Sequence, residues 1–164
     1  MNVSNGGVPK RPVPGARVSA LGLDGDRQRD ARYHGGPERA LCLFSLERIE
    51  TLAAEGHAIG PGTLGENVTV AGLDWDRVDP GARYCLGRRV VIEITGYASP
   101  CAKIRPAFAG GEHPRVSQKA HPGWSRVYAR VLAPGAIAPG DAVRPFTAGR
   151  PRPAQRLTRR EPSL

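Results

Sequence analysis

Hydrophobic positions along the chain recur with two different periods, and the change falls near residue 45. In "RALCLFS" (39–45), Leu41 and Leu43 lie on one side and Cys42 and Phe44 on the other, the pattern of a strand buried on both faces. The next stretch, "SLERIETLAAEG" (45–56), sets Leu46, Ile49, Leu52 and Ala53 at helical spacing. Ser45 is placed to cap the first amides, Glu47 sits at the positive end of the helix dipole, and Gly56 ends the helix. Four later runs return to strand character: "NVTVAGL" (67–73), "ARYCLG" (82–87), "RRVVIEITGY" (88–97) and "SRVYARVLA" (125–133). "DPG", "LGR" and "APGAIAPGD" punctuate them, and the "LG" at 86–87 predicts a tight hairpin with Gly87 in the turn.

Two regions lack a clear period. Residues up to about Arg32 mix proline, glycine and charge, and read as loop with one short strand. Between Cys101 and His121, Pro106 interrupts "IRPAF" where a helix would break, and "AGGEHP" reads as an exposed loop. There is no internal repeat. Short strands at this spacing predict a mainly β (α+β) fold, a barrel or sandwich with helices at its side.

Composition narrows this to a single domain. The chain has 164 residues, of which 40% are hydrophobic and 5% aromatic, so Val, Ala, Leu and Ile must fill the core. Net charge is +9, and Arg150, Arg152, Arg156, Arg159 and Arg160 concentrate part of it after residue 147. With few apolar residues, 147–164 is expected to be a basic, flexible tail. Spaced arginines also neutralise phosphates, so a nucleic-acid-binding barrel is a distant alternative. It rests on charge alone, because no aromatic platform accompanies the arginines. No apolar run reaches the roughly 20 residues of a membrane span, and the first residues lack the apolar core of a signal peptide. The expectation is a cytoplasmic protein with no membrane partner.

Cys42, Cys85 and Cys101 are too widely spaced for a disulfide framework or a zinc site. Cys42 and Cys85 fall inside strand alternation, where a free cysteine packs as a small hydrophobe. Cys101 differs. Pro100 ends the strand run, so the thiol emerges at a strand-to-loop junction, and Lys103 adds a positive charge that favours thiolate. In "YHGGPERA" (33–40), His34 precedes a Gly-Gly pair whose amides could approach a ligand or simply form a turn. In "GTLGENVTVAGL" (62–73), Glu66 and Asn67 bring a carboxylate and an amide to the start of a strand, although turn formation explains them as well.

In order, "YHGGPERALCLFSLE", "GTLGENVTVAGLD", "VDPGARYCLGRRVVIEITGYASPCAKI" and "GWSRVYARVLAPGAIAPGDAV" resemble the MOSC domain, named for the C-terminal domain of molybdenum cofactor sulfurase. The resemblance implies a MOSC-type, β-barrel-like domain over 25–146, preceded by a loop-rich segment over 1–24. It implies that Cys101 handles sulfur or ligates the molybdenum of a molybdopterin cofactor. His34, Glu66, Asn67 and Lys103 then become candidates for the cofactor pocket. Stand-alone proteins of this kind include reductases of N-hydroxylated compounds, which need a small-molecule substrate and a separate electron donor. In the sulfurase context the domain works beside a pyridoxal phosphate-binding module, which this chain lacks. The alternative is therefore a sulfur carrier that holds a persulfide on Cys101 and is loaded by a cysteine desulfurase. There is one departure: relatives often carry an arginine shortly before the Pro-Cys pair, where this chain has "GYASPC". Arg105, Arg39 and Lys103 are the candidates to replace that charge.

Overall fold

The computed structural model describes residues 1–27 and 35–147, so His34 and nearly all of the basic tail lie outside the described residues. Four short strands open the chain: β1 (Asn2–Val3), β2 (Arg11–Pro12), β3 (Ala16–Ser19) and β4 (Gly22–Leu23). They are followed by β5 (Leu41–Ser45), helix α1 (Leu46–Ala54) and β6 (Val68–Val70). Next come β7 (Arg83–Leu86), β8 (Val90–Ala98), β9 (Arg126–Ala133), β10 (Gly135–Ile137) and β11 (Val143–Pro145).

A curled six-stranded sheet in the order β11-β7-β8-β9-β5-β6 dominates the architecture. All its pairs are antiparallel except β5 and β6. Parallel neighbours need a crossover, and α1 supplies it, burying Ile49 and Leu52. The predicted cap is present: Ser45 Oγ accepts a hydrogen bond from the Arg48 amide at 3.2 Å. Glu47 accepts from Ser45 Oγ at 2.7 Å and from the Gly72 amide at 2.6 Å, and these bonds, Gly72 first, hold its carboxyl below the usual range. The β7–β8 hairpin turns at Gly87 with φ 61°, a conformation that favours glycine.

All five residues of β5 are buried, as its alternation predicted. Phe44 meets Trp75 edge to face at 6.0 Å, and the apolar residues of β5, β8 and β9 merge with α1 into one core. The first segment is more ordered than expected. β3 pairs with β4 and, from the far end of the chain, with β10, placing Val18 and Leu23 in the same core. Strands this short leave no period to read, and their partners lie outside any local window. Residues 102–116, which lacked a pattern, form three short 3₁₀ turns (Ala102–Ala107, Ala109–Gly111, His113–Val116).

Candidate functional site

β8 ends at Ala98, and Cys101 follows in extended conformation, partly exposed, with φ −128° and ψ 165°. Its carbonyl accepts from the Ile104 amide at 3.1 Å, which starts the 3₁₀ turn and sets Lys103 beside it. Both side chains line a cavity of about 90 Å³. That is smaller than the roughly 150 Å³ that encloses a benzene ring.

The cavity carries two thiols, Cys42 and Cys101, and five cations, Lys10, Arg27, Arg39, Lys103 and Arg126. No carboxylate is among the described residues that line it. Cys42, read from the sequence as core, is indeed buried, yet β5 turns its side chain to the cavity; burial pushes its thiol up to about 11. Opposite Cys42 in the ladder stands Tyr128 of β9, whose ring lies under the Arg39 guanidinium at 5.2 Å. Burial also raises the Tyr128 phenol.

Behind the lining runs a polar brace. Asp26 pairs with Lys10, and both side chains are nearly sealed from water, at 4% and 9% exposure. Asp26 also accepts from the Ser4 amide at 2.8 Å and from Asn67 Nδ2 at 2.8 Å. Asn67 in turn accepts from the Cys42 amide at 3.1 Å through Oδ1, so it locks the first segment to β5 while facing the cavity. Glu66 does not line the cavity. It is fully buried, accepting from the Gly62 amide at 2.5 Å and from Thr69 Oγ1 at 3.2 Å, while Oε2 has no partner. Burial raises its carboxyl above the usual range.

The structure thus brings Cys101, Asn67 and Lys103 together, sets Glu66 behind them, and leaves His34 outside the described residues. Of the proposed substitute cations, Arg39 and Lys103 line the cavity. Arg105 does not: its side chain packs against Gly111.

The residue that sequence reasoning missed is Arg126. It begins β9 directly opposite Ala98, the end of β8, and is only 6% exposed. The available signal was a basic residue two positions before Tyr128, on the same face of a strand that must pack. A second, larger cavity of about 250 Å³ lies by Trp75, Asp79, Tyr97 and Gln118. It holds no thiol, and its Tyr97 hydroxyl already donates to Asp79 at 2.7 Å.

A mixed sheet that presents a partly exposed thiol from a strand end into a basic cavity defines a class of small β protein whose lining combines a soft donor with cations. The MOSC domain family matches residues 30–144, and the chain belongs to that family. It is 32% identical over 139 residues to YflK of Bacillus subtilis, covering 82% of this chain and 60% of that protein. It is 31% identical over 125 residues to YiiM of Escherichia coli, covering 73% and 54%. A protein of Gibberella moniliformis named "Reductase" is 29% identical over 133 residues, 76% of this chain and 22% of that one. The chain therefore spans little more than half the length of the two bacterial relatives. Among solved structures, YiiM of Geobacillus stearothermophilus superposes with a TM-score of 0.63 at 26% identity, over 86% of this chain and 65% of that one. No helix among the described residues is long and apolar enough to cross a membrane.

Proposed function

We propose that this protein is a reductase of N-hydroxylated compounds that works with a molybdenum pterin ligated by Cys101. The observation that carries the reading is a partly exposed thiol at the end of β8, in a cavity lined by five cations and by no carboxylate among the described residues. The donor set fits the group. A thiolate is a soft ligand suited to a redox metal, and the cations suit the phosphate of a pterin cofactor. When bound, the cofactor would supply the two-electron chemistry that removes oxygen from an N–OH group, with a separate electron donor restoring it.

The chain's own contribution is binding and orientation. Cys101 would hold the metal. Lys103 and Arg39 would draw an anionic group to the mouth, and Asn67 would keep the first segment against β5 so that the cavity stays shaped. Cys42 is the poorer ligand, because burial keeps its thiol protonated at neutral pH. The relative named "Reductase" supports the reaction class, although it shares only 22% of its length with this chain.

Metal analysis of protein from a cofactor-replete host tests the reading. Wild type should carry equimolar molybdenum, Cys101→Ser should carry none, and Cys42→Ser should retain it. Metal-free wild type that gains a sulfur atom on Cys101 when incubated with a cysteine desulfurase would overturn it in favour of sulfur transfer.

A further inference from the structure

Chain direction carries the charge of the last residues toward one place. β11 runs antiparallel to β7, and past its end the Phe146 amide still donates to the Arg83 carbonyl at 2.8 Å. Residues 148–164 follow, with five arginines against one glutamate. Because the pair is antiparallel, the chain leaves β11 heading toward the turn that precedes β7. The Ala82 amide closes that turn by donating to the Asp79 carbonyl at 3.0 Å.

Asp79 also lines the second cavity, of about 250 Å³. Trp75, Tyr97 and Pro122 give this cavity apolar walls, and Asp76 and Asp79 give it carboxylates. No cation is among the described residues that line it, a local inversion in a chain of net charge +9. Asp76 has a partner in Arg48 at 2.8 Å. Asp79 accepts from the Tyr97 hydroxyl at 2.7 Å, which fixes its carboxylate, and it has no ion pair among the described residues.

The first charged residues to arrive are in the run Arg150-Pro151-Arg152-Pro153. A residue before proline disfavours helix and prefers extended or polyproline II backbone. Aromatic-lined grooves recognise that conformation because little entropy is left to lose, and an arginine adds a charge-assisted bond to a carboxylate. The distances suffice. A turn keeps the Cα atoms of Asp79 and Ala82 within about 7 Å. Four residues beyond Phe146 span about 13 Å, before the arginine side chain is counted.

We propose that the chain's own segment 150–153 docks in this cavity, with its prolines against Tyr97 and Pro122 and Arg150 on Asp79. The two cavities share no lining residue, so the docking stands whether or not Cys101 holds a metal.

Carbodiimide coupling of the full chain, read by mass spectrometry, tests this. With Arg150→Lys, the reagent should join the new amine to Asp79. That cross-link should vanish when Asp79→Asn is added and fall at about 1 M salt, where screening acts within a few ångströms. An equal mixture of light and ¹⁵N-labelled chains should give cross-links within single chains only. In a separate full-length variant, Arg150→Ser/Arg152→Ser, the Tyr97 amide and Trp75 indole resonances should shift while the Lys103 amide stays in place. The docking is overturned if the amine at position 150 does not couple to Asp79, or if the double variant leaves the Tyr97 and Trp75 resonances unmoved. Cross-links that mix the labels would also overturn it, by assigning the groove to a second copy of the chain.

Discussion

Gly62→Ala should loosen the first segment from the sheet, and its cost follows from three local facts. Gly62 has φ 84°, a left-handed conformation that costs a side-chain-bearing residue about 1–2 kcal/mol. An added Cβ would press on the Lys10 carbonyl oxygen and lie 3.1 Å from Asn2 Cγ, so the backbone of the first segment must retreat. That retreat strains two hydrogen bonds, from the Lys10 amide to the Gly62 carbonyl (2.8 Å) and from the Gly62 amide to Glu66 (2.5 Å). At about 1 kcal/mol for each bond, the total destabilisation is roughly 3–4 kcal/mol. Urea unfolding followed by far-UV circular dichroism measures it, with the slope unchanged if the same surface is exposed. A shift below about 1 kcal/mol would refute the reasoning, since the left-handed term alone predicts at least that much.

Glu66→Gln keeps the shape of the buried side chain and removes its charge. The native state holds the Glu66 proton more tightly than the unfolded chain does. The stability this contributes is full below the ordinary carboxylate range and is lost as pH rises through the raised value. Glutamine should therefore gain on wild type as pH rises through that value. Urea unfolding across pH 4–8 measures the difference, and parallel pH curves would count against a raised carboxyl. Ser45→Ala removes the cap of α1 and should cost about 1 kcal/mol in the same assay; no loss would mean that Glu47 and Gly72 secure the helix start alone.

Most elements were legible locally. The switch from alternation to helical spacing at Ser45 marked β5 and α1, and β-branched runs with turn residues marked β6 to β9. The address of Cys101, just past a strand and after a proline, could be read in the same way. Those signals survive because a strand or helix writes its own period into neighbouring residues. The two-residue strands of the first segment could not do so, and neither could the 3₁₀ turns over 102–116.

Register decided the site. Sequence placed Arg126 in a strand, Cys42 in a core and Glu66 at the start of a strand, each a correct local statement. Only the β8–β9 ladder puts Arg126 opposite Ala98, and only the β5–β9 ladder turns Cys42 and Tyr128 to the same face. The Asp26–Lys10–Asn67 brace likewise joins residues far apart in the chain. The sequence alone determined a mainly β domain with a cysteine at a strand end. The cation that faces the cysteine's cavity was decided by the tertiary structure, because strand pairing selects contacts by register and no local period records which distant residue will stand opposite.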